Sequence, residues 1–223
     1  MTVQLDFIKS LPHFAGLGQA ELESIRKYII EKKAEKGELI MVEGEPAQRL
    51  YFIAAGVVKV FKSSADGKEQ ILQLSRPGES FNDIPVITGG ANLTSAAAMG
   101  AVILNTIKRG DMEAILREYP PVALNMVGVL ARRASRLLSL VEDLSFRNVT
   151  GRVAKILIEY AGDKTGERPR LTQQEMAAMI GTAREMVGRS LKAMEGAGTI
   201  RLDRHRIIIT DGEALKKIAG INP

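Results

Sequence analysis

Two helical patterns joined by a short connection, within residues 171–200, constrain the fold of this chain most strongly. Each pattern begins with a potential capping box, in which a threonine is followed three residues later by a glutamate: Thr172 with Glu175, and Thr182 with Glu185. The connection between the two patterns is short and contains a glycine. This spacing predicts a helix-turn-helix.

The second helix of this pair has one apolar face. Met186 or Val187, followed by Leu191 and Met194, recur at helical spacing and predict the side that packs against the rest of the motif. The opposite side is polar or bare, and it is free to meet another molecule. Its residues are Arg184, Glu185, Gly188, Arg189 and Lys192.

This free face has the chemistry needed to read base edges in a major groove. Arg184 and Arg189 offer donors that suit O6 and N7 of guanine, and Glu185 offers an acceptor that suits the N4 amino group of cytosine. Gly188 costs about 1 kcal/mol relative to alanine in mid-helix, a cost more easily understood if the bare backbone approaches something. An ordinary solvated face shows the same charge pattern, so the residues alone leave both interpretations open.

The run from Thr182 to Arg189, TAREMVGR, resembles the recognition helix of the CRP/FNR family of bacterial transcription regulators. In the cyclic-AMP receptor protein branch of that family, the matching Arg-Glu-x-Val-Gly-Arg reads a TGTGA-type half-site, whereas the FNR branch has Glu-x-x-Ser-Arg. The resemblance implies that Arg184, Glu185 and Arg189 read bases. The side chains expected to contact the phosphate backbone are Thr172, Thr182, Lys192, Arg201 and Arg204.

The positive charge of the chain is concentrated toward its C-terminus. Residues 1–145 contain 17 Lys and Arg against 17 Asp and Glu, whereas residues 146–223 contain 14 against 9. The whole net charge of +5 therefore lies in the C-terminal third. This asymmetry is expected when one module meets phosphates and the other does not.

Composition excludes several classes of protein. The chain has no cysteine, which removes disulfides, thiolate metal sites and cysteine-ligated iron-sulfur clusters. No run of eighteen apolar residues and no signal-peptide pattern is present, so we expect a soluble, cytoplasmic protein without a membrane partner.

Short apolar or alternating segments separated by turn residues follow an amphipathic helix predicted over Gln19–Lys33. Many short strands of this kind suggest a sandwich or barrel, and Asp66-Gly67 predicts a hairpin. The predicted strands lie within Glu38–Val42, Leu50–Ile53, Val57–Phe61, Gln70–Leu74 and Ala101–Leu104.

This region resembles the family's sensor module, a β-roll similar to cyclic-nucleotide-binding domains, through Gly37-Glu38, Glu43-Gly44-Glu45, Tyr51–Gly56 and Pro77-Gly78-Glu79. Cyclic-AMP binders of the family use Gly-Glu for the ribose and Arg-Ser for the cyclic phosphate.

The ligand cassette of this chain departs from that pattern. It offers Asn82-Asp83 and Leu93-Thr94-Ser95, and no Lys or Arg lies between Arg76 and Lys108. Burying a phosphate without a cation is costly, so cyclic AMP is disfavoured. The resemblance places the effector pocket at Asn82, Asp83, Thr94, Ser95, Leu137 and Leu138, where the two leucines replace small hydroxyl residues of the cyclic-AMP binders.

A long helix is predicted over Pro121–Phe146, with apolar residues at heptad spacing. Such a helix either packs on its own domain or pairs with a second copy. The family resemblance favours a parallel homodimer, because a two-fold protein suits a palindromic site. The expected dimer seam is Val127, Leu130, Ala134, Leu137, Val141 and Leu144.

The remaining C-terminal segments complete a winged helix-turn-helix. Asn148–Arg152 resembles the family's hinge, and Thr199–Leu202 with Arg206–Ile209 predict a β-hairpin wing. Gly162–Arg170 is a polar loop, and the family resemblance implies that it meets RNA polymerase. The chain is therefore expected to be an α+β protein. Its expected domains are a β-roll sensor domain over residues 1–120, a dimerisation helix over 121–146 and a DNA-binding domain over 147–223.

The sequence thus predicts a homodimeric, sequence-specific transcription regulator, expected to be an activator, that is controlled by an unidentified small effector other than cyclic AMP. One alternative is a haem-based gas or redox sensor with the same DNA-binding domain. His13 is the one histidine in the predicted sensor region and is therefore the candidate haem ligand. Another is a regulator without an effector. A metal-dependent β-helix enzyme usually needs two or three histidines with a carboxylate, and this module has one, so no enzyme activity and no protein-bound metal are expected.

Overall fold

The computed structural model describes residues 3–161, 171–203 and 206–221. The chain divides into two compact units, one formed by residues 1–62 and 72–136 and the other by residues 63–71 and 137–223. Antiparallel sheets in the first unit and a helical domain with a small hairpin in the second confirm the predicted α+β class.

The first unit is built around antiparallel strands. These are β1 (Ile29–Ala34), β2 (Leu39–Met41), β3 (Arg49–Ala55), β4 (Val58–Ser63), β5 (Glu69–Ser75), β6 (Ser80–Phe81), β7 (Ser95–Ala98) and β8 (Val102–Lys108). They form two four-stranded sheets, with orders β1-β8-β3-β6 and β2-β7-β4-β5. This is the predicted β-roll.

Alternation along β3 explains why the roll has apolar residues on both of its faces. Leu50 and Phe52 belong to a core cluster shared with the surrounding helices, whereas Tyr51 and Ile53 belong to a second cluster inside the roll. The helices that pack against the roll are α1 (Leu5–Ser10), α2 (Gln19–Arg26), α3 (Asp83–Thr88), α4 (Arg109–Glu118) and the first part of α5 (Pro120–Phe146), with a 3₁₀ turn at Pro12–Phe14.

The single helix predicted over Gln19–Lys33 is wrong in its second half. The chain leaves the helix after Arg26, and Ile29–Ala34 forms β1, which pairs antiparallel with β8. Leu22, Ile25 and Ile29 are all buried, so the apolar spacing was detected correctly. Pairing with a distant strand overrode the local helical period, a long-range effect that one segment's pattern does not report.

The five predicted strand segments all overlap observed strands, and Asp66-Gly67 forms the expected turn, where the Gly67 N–H donates to Ser64 O at 2.9 Å. The strand β7 was not predicted. It consists of Ser95 and three alanines, which are depleted in strands. Its small side chains are nonetheless buried in the roll, where they pair with β2 and β4.

The long helix α5 begins one residue before the predicted start and ends at Phe146 as predicted. Val122 and Met126 near its start are buried in the core of the first unit. The predicted seam is largely open in the single chain, with Val127 63% and Val141 59% exposed. Ala134, Leu137 and Leu144 are also exposed, and Leu130 is half-buried.

The second unit has the predicted winged helix-turn-helix. Its elements are α6 (Val149–Ala161), α7 (Gln173–Ile180), α8 (Arg184–Gly196), β9 (Ile200–Asp203), β10 (Arg206–Ile209) and α9 (Gly212–Ile218). The strands β9 and β10 pair antiparallel, with Ile209 opposite Ile200. The buried core residues of this unit come from α6, α7, α8, β9 and α9.

A buried carboxylate joins the end of α5 to α6. Asp143 is 9% exposed, and it accepts hydrogen bonds from Arg147 at 2.7 Å and from Lys155 of α6. Arg152 donates to the backbone oxygen of Arg147 at 2.8 Å. These contacts orient α6 relative to the last turns of α5.

One glycine is required by a close approach between two connections of the roll, one between β3 and β4 and the other between β7 and β8. Gly56 has φ of +82°, and a Cβ atom there would lie 2.4 Å from the backbone oxygen of Ala101. Gly67 has nearly the same φ, +79°, but a Cβ there would have no neighbour within 4 Å.

Replacing Gly56 with alanine should therefore lower the free energy of unfolding by about 3 kcal/mol, because left-handed strain and steric overlap add together. Gly67→Ala is the matched control and should cost only the strain, about 1–2 kcal/mol. Denaturant unfolding of both variants measures the difference. Equal losses would show that the approach of Ala101 has no energetic effect.

Candidate nucleic-acid interface and sensor cavity

The first helix of the helix-turn-helix begins with the predicted capping box. The Glu175 N–H donates to Thr172 Oγ1 at 3.1 Å, and the Thr172 N–H donates to Glu175 Oε2 at 2.6 Å. The helix α7 ends at Gly181, whose φ of +63° is left-handed. The N–H groups of Gly181 and Thr182 both donate to Ala177 O and close the last turn.

The second predicted capping box, Thr182 with Glu185, is wrong. The helix α8 begins one residue later than expected, so its N-cap is Ala183, which has no side-chain acceptor. Thr182 instead takes part in ending α7 through its backbone N–H. As a result, the Glu185 carboxylate is not used as a cap.

The buried face of α8 packs as predicted. Val187, Leu191 and Met194 are at most 1% exposed and belong to the core of the second unit. Ser190 is also buried, and its Oγ lies 3.1 Å from Thr150 Oγ1 of α6. Met186, the alternative member of the stripe, is 37% exposed.

The opposite face of α8 is open and charged. Arg184, Glu185, Arg189 and Lys192 are all exposed, and within the described part of the chain none of them forms an ion pair. The Arg189 guanidinium only approaches Met186 Sδ at 3.9 Å. These side chains are therefore free to bind another molecule.

Gly188 has room for a side chain within the protein. A Cβ atom there would lie 3.4 Å from Gln173 Oε1, which is an ordinary contact distance. The protein itself therefore does not require glycine at this position. The glycine, which costs about 1 kcal/mol in mid-helix relative to alanine, leaves the backbone bare on the open face of α8.

The wing is attached to the recognition helix. Glu195 Oε1 of α8 accepts a hydrogen bond from the Leu202 N–H at 2.8 Å, and Arg201 of the same strand is exposed. Arg204 and the loop Gly162–Arg170, the predicted phosphate contact and polymerase surface, lie outside the described residues.

A buried charge network occupies the sensor unit. The Asp83 carboxylate, 1% exposed, lies 2.9 Å from His13 Nε2 and accepts from Ser80 Oγ at 2.8 Å. On its other oxygen it accepts from Arg133 Nη1 at 2.5 Å. Arg133 Nη2 donates to Ser80 O at 2.6 Å and to Ser80 Oγ at 2.9 Å.

The ionisation of Asp83 is set by these partners. Burial by itself would raise the pKa of this carboxyl, but the hydrogen bond from His13 and the positive charge of Arg133 outweigh burial and lower the pKa from 3.8 to about 2. Asp83 is therefore charged throughout the neutral range, and Arg133 neutralises it.

The predicted pocket residue Asn82 holds loops of the roll together. It has a left-handed φ of 71°, and its amide donates to Arg49 O and to Asn92 Oδ1, both at 3.0 Å. The Asn92 amide in turn donates to Val42 O at 3.0 Å. Both Asn82 and Asp83 therefore already have protein partners.

The other predicted pocket residues have fewer hydrogen-bond partners among the described residues than Asn82 and Asp83. Ser95 Oγ accepts from the Glu43 N–H at 3.0 Å, and Thr94 is half-buried. Leu137 and Leu138 are 42% and 70% exposed on α5. Arg133 was missed by the sequence reasoning, although it lies four residues before Leu137 and hence on the same side of a helix.

A cleft of about 120 Å³ lies beside this network. It is smaller than the roughly 300–1,000 Å³ of pockets for drug-sized ligands. His13 is 1% exposed, its Nε2 is occupied by Asp83, and its ring packs edge-on against Phe52 at 5.0 Å. A porphyrin does not fit this arrangement. The cleft is lined by Pro12, His13, Gln73, Gly78, Glu79, Ser80, Val129, Arg132, Arg133 and Arg136.

Known proteins match this chain in both units. Residues 31–119 match the cyclic nucleotide-binding domain, and residues 151–218 match the Crp-like helix-turn-helix domain. A cyclic AMP receptor protein of Thermus thermophilus is 32% identical over 95% of this chain and 98% of its own length. A CRP-like cAMP-activated global transcriptional regulator of Mycobacterium tuberculosis is 31% identical over 92% and 95%. The crystal structure of the Thermus thermophilus catabolite activator protein covers 95% of this chain and 100% of its own, with 32% identity and a TM-score of 0.55.

The chain belongs to the CRP/FNR family of transcription regulators. It is a DNA-binding protein with a sensor domain of the cyclic nucleotide-binding type. The matched proteins are transcription regulators, in agreement with the expectation that this chain is not an enzyme.

Residues 3–161, 171–203 and 206–221 lack two features, a membrane-spanning helix and a cluster of metal ligands. No helix among them is both long and apolar enough to cross a membrane. No three His, Asp or Glu side chains among them converge as a metal site would require.

Replacing Asp83 with asparagine in this regulator should lower the free energy of unfolding by about 3–5 kcal/mol at neutral pH, because Arg133 loses its buried counter-charge. The depressed pKa implies stability that is fully present above pH 3.8 and lost as the pH falls to about 2. The gap between wild type and variant should therefore narrow over that range.

Thermal unfolding as a function of pH measures this gap. Asp66→Asn is the control, since Asp66 also has a pKa of about 2, set by hydrogen bonds from Lys68 and Ser64, but is fully exposed. It should change stability little. A gap for Asp83→Asn that stays constant down to pH 2 would contradict the role given to its charge.

Proposed function

We propose that this regulator acts as a homodimer, activates transcription, reads a TGTGA-like palindrome and responds to a small effector other than cyclic AMP. The observation that carries the proposal is the open face of α8, where Arg184, Glu185 and Arg189 are exposed and form no ion pair with any residue that the structure describes. Base-edge readout in a major groove needs side chains in this state.

The direct readers are Arg184, Glu185 and Arg189. The two arginines donate to guanine O6 and N7, and Glu185 accepts from the cytosine N4 amino group. The shifted start of α8 supports this role for Glu185, because the carboxylate is not engaged as a cap. Gly188 lets the helix backbone approach the DNA closely.

Other residues position the protein on the phosphate backbone. We assign this role to Thr172, Thr182, Lys192, Arg201 and Arg204, the last on sequence grounds alone. Contacts of this kind set register and orientation and make binding dependent on salt, but they do not select a sequence.

The exposed seam on α5 supports a parallel dimer. Val127 and Val141 are more than half exposed in the single chain, which is unusual for large apolar residues at regular heptad positions. A two-fold dimer through this seam presents two recognition helices to successive major grooves. Effector binding in the sensor would change how the two copies of α5 pack and so shift the population of the DNA-binding arrangement.

The sensor residues support an effector other than cyclic AMP, although the relatives named above are described as cyclic AMP regulators. No Lys or Arg lies between Arg76 and Lys108. Arg133 of α5 brings a positive charge to Asp83 in this segment, but the Asp83 carboxylate already neutralises it. The Asn82 amide already donates hydrogen bonds to Arg49 O and to Asn92 Oδ1. A cyclic phosphate would have to displace these contacts.

The same proposal assigns residues 1–120 to the sensor, 121–146 to dimerisation and 147–223 to DNA binding, in a cytoplasmic protein that contacts RNA polymerase. A haem-based sensor is not favoured, because neither His13 nor the cleft suits a porphyrin. A regulator without an effector is distinguished by the binding assay below.

Glu185→Ala should relax specificity at one base pair of the half-site, with a loss of about 1–3 kcal/mol on the preferred base. Lys192→Ala should weaken binding to all sequences alike and reduce the salt dependence by about one charge. Fluorescence anisotropy on a TGTGA palindrome and its single-base variants, at two salt concentrations, separates the two effects. Equal losses on every sequence for both variants would contradict the division of roles.

The same titration tests effector control. Affinity for the palindrome should be unchanged by added cyclic AMP and should fall after small molecules are removed from the protein by dialysis under mild denaturant and refolding. A rise in affinity with cyclic AMP would overturn the effector proposal, and unchanged affinity after removal would favour a regulator without an effector.

Val141→Glu should weaken the dimer by at least about 100-fold, because two valines that would each contribute about 1.5–3 kcal/mol on burial are replaced by facing charges. Ser135→Glu is the matched control, since Ser135 is exposed on the same helix but off the seam. Sedimentation equilibrium measures both dissociation constants. Similar values for the two variants would show that the seam is not the dimer contact.

A further inference from the structure

Three arginines of α5 converge on the cleft of about 120 Å³ in the sensor unit, and they are not equivalent. Arg133 is paired with Asp83, and Arg136 is paired with Glu79 at 3.1 Å. Arg132 has no ion pair among the described residues, and it lies one helical turn before Arg136. The cleft therefore has one positive charge in excess.

A second observation also indicates a ligand at this cleft. His13 is 1% exposed and lines the cleft, and its Nδ1 has no hydrogen-bond partner among the described residues. Buried polar atoms are nearly always satisfied, so an unpartnered one beside a cavity calls for a partner. Because His13 donates to Asp83 through Nε2, the neutral ring presents Nδ1 as an acceptor, and a hydroxyl donor from a bound molecule, such as that of a protonated phosphate or carboxyl group, would supply its partner.

The volume limits the size of that molecule. A cavity of about 150 Å³ accommodates benzene, so this cleft suits a molecule of similar or smaller size. The residues predicted for the effector pocket, Asn82, Asp83, Thr94, Ser95, Leu137 and Leu138, do not line it.

We propose that this cleft binds a small oxoanion, a phosphate or a compact carboxylate, whose oxygens accept hydrogen bonds from Arg132 and Arg136 next to His13. Guanidinium groups bind such planar or tetrahedral sets of oxygens through charge-assisted hydrogen bonds. Gln73 and Ser80 also line the cleft, but their side-chain donors already bond to Ser75, to Ser80 O and to Asp83, so the two arginines are the groups that would hold the anion. The binding site itself does not depend on the proposed DNA specificity; only its use as an effector site rests on the proposed function.

Three single variants of the full chain test the site, with inorganic phosphate and malonate as probes and chloride at equal ionic strength as the reference. Arg132→Gln should weaken binding of the preferred probe at least about tenfold, since a charge-assisted donor is lost. Glu79→Gln should tighten it, because the carboxylate that competes for Arg136 is removed. Arg117→Gln, an exposed arginine of α4 outside the cleft, should leave it unchanged.

Isothermal titration calorimetry gives the affinities, and the comparison of phosphate with malonate distinguishes the two kinds of oxoanion. The imidazole ¹⁵N resonances give an independent readout, because the chain has only two histidines and His205→Gln identifies the His13 signals. The His13 Nδ1 signal should shift on saturation.

Saturable binding that follows the order Glu79→Gln, wild type, Arg132→Gln supports the proposal. Absence of saturable binding of both probes, or equal affinity in all three variants, overturns it. DNA affinity is measured on the same samples, for the TGTGA palindrome and for unrelated DNA. Equal affinity for the two DNAs would contradict the proposed function but would not affect the conclusion about the anion site.

Discussion

Buried carboxylates anchor the long helix α5 within each unit. In the sensor unit, Asp83 receives Arg133 of this helix together with His13 and Ser80. In the DNA-binding unit, Asp143 of the same helix receives Arg147 and Lys155. Removing one partner of such a pair leaves a buried charge uncompensated, at a cost of about 3–5 kcal/mol. Within the sensor unit the packing of the first part of α5 on the roll depends on this electrostatic constraint, and within the DNA-binding unit so does the orientation of α6 against the last turns of α5.

The constraint has a consequence for what the sensor is able to bind. Arg133 contacts the ligand cassette, yet both terminal nitrogens of its guanidinium already donate to Asp83 and Ser80. An anionic ligand therefore needs other cations, and Arg132 with Arg136 are the ones that the cleft presents. The same helix thus contributes both the neutralised arginine that holds the structure together and the arginines available for binding.

Several features followed from local pattern because the physics that produces them is local. The cap at Thr172, the two-faced helix α8, the long helix α5 and the hairpin at Asp66-Gly67 were all predicted, and each depends on residues close in sequence. The prediction was wrong where groups outside the predicted element compete for the same backbone. Ile29–Ala34 became a strand by pairing with β8, and Thr182 was drawn into the end of α7, which left Glu185 free.

The sequence by itself determined the family, the position of the recognition helix and the side chains on its open face, since helical periodicity, capping and charge distribution are properties of neighbouring residues. Only the tertiary structure decided the charge network of the sensor. Asp83 meets His13 from 70 residues before it and Arg133 from 50 residues after it, and no local period relates these positions. Which charges are neutralised and which remain available depends on three-dimensional proximity, and folding alone brings those groups together.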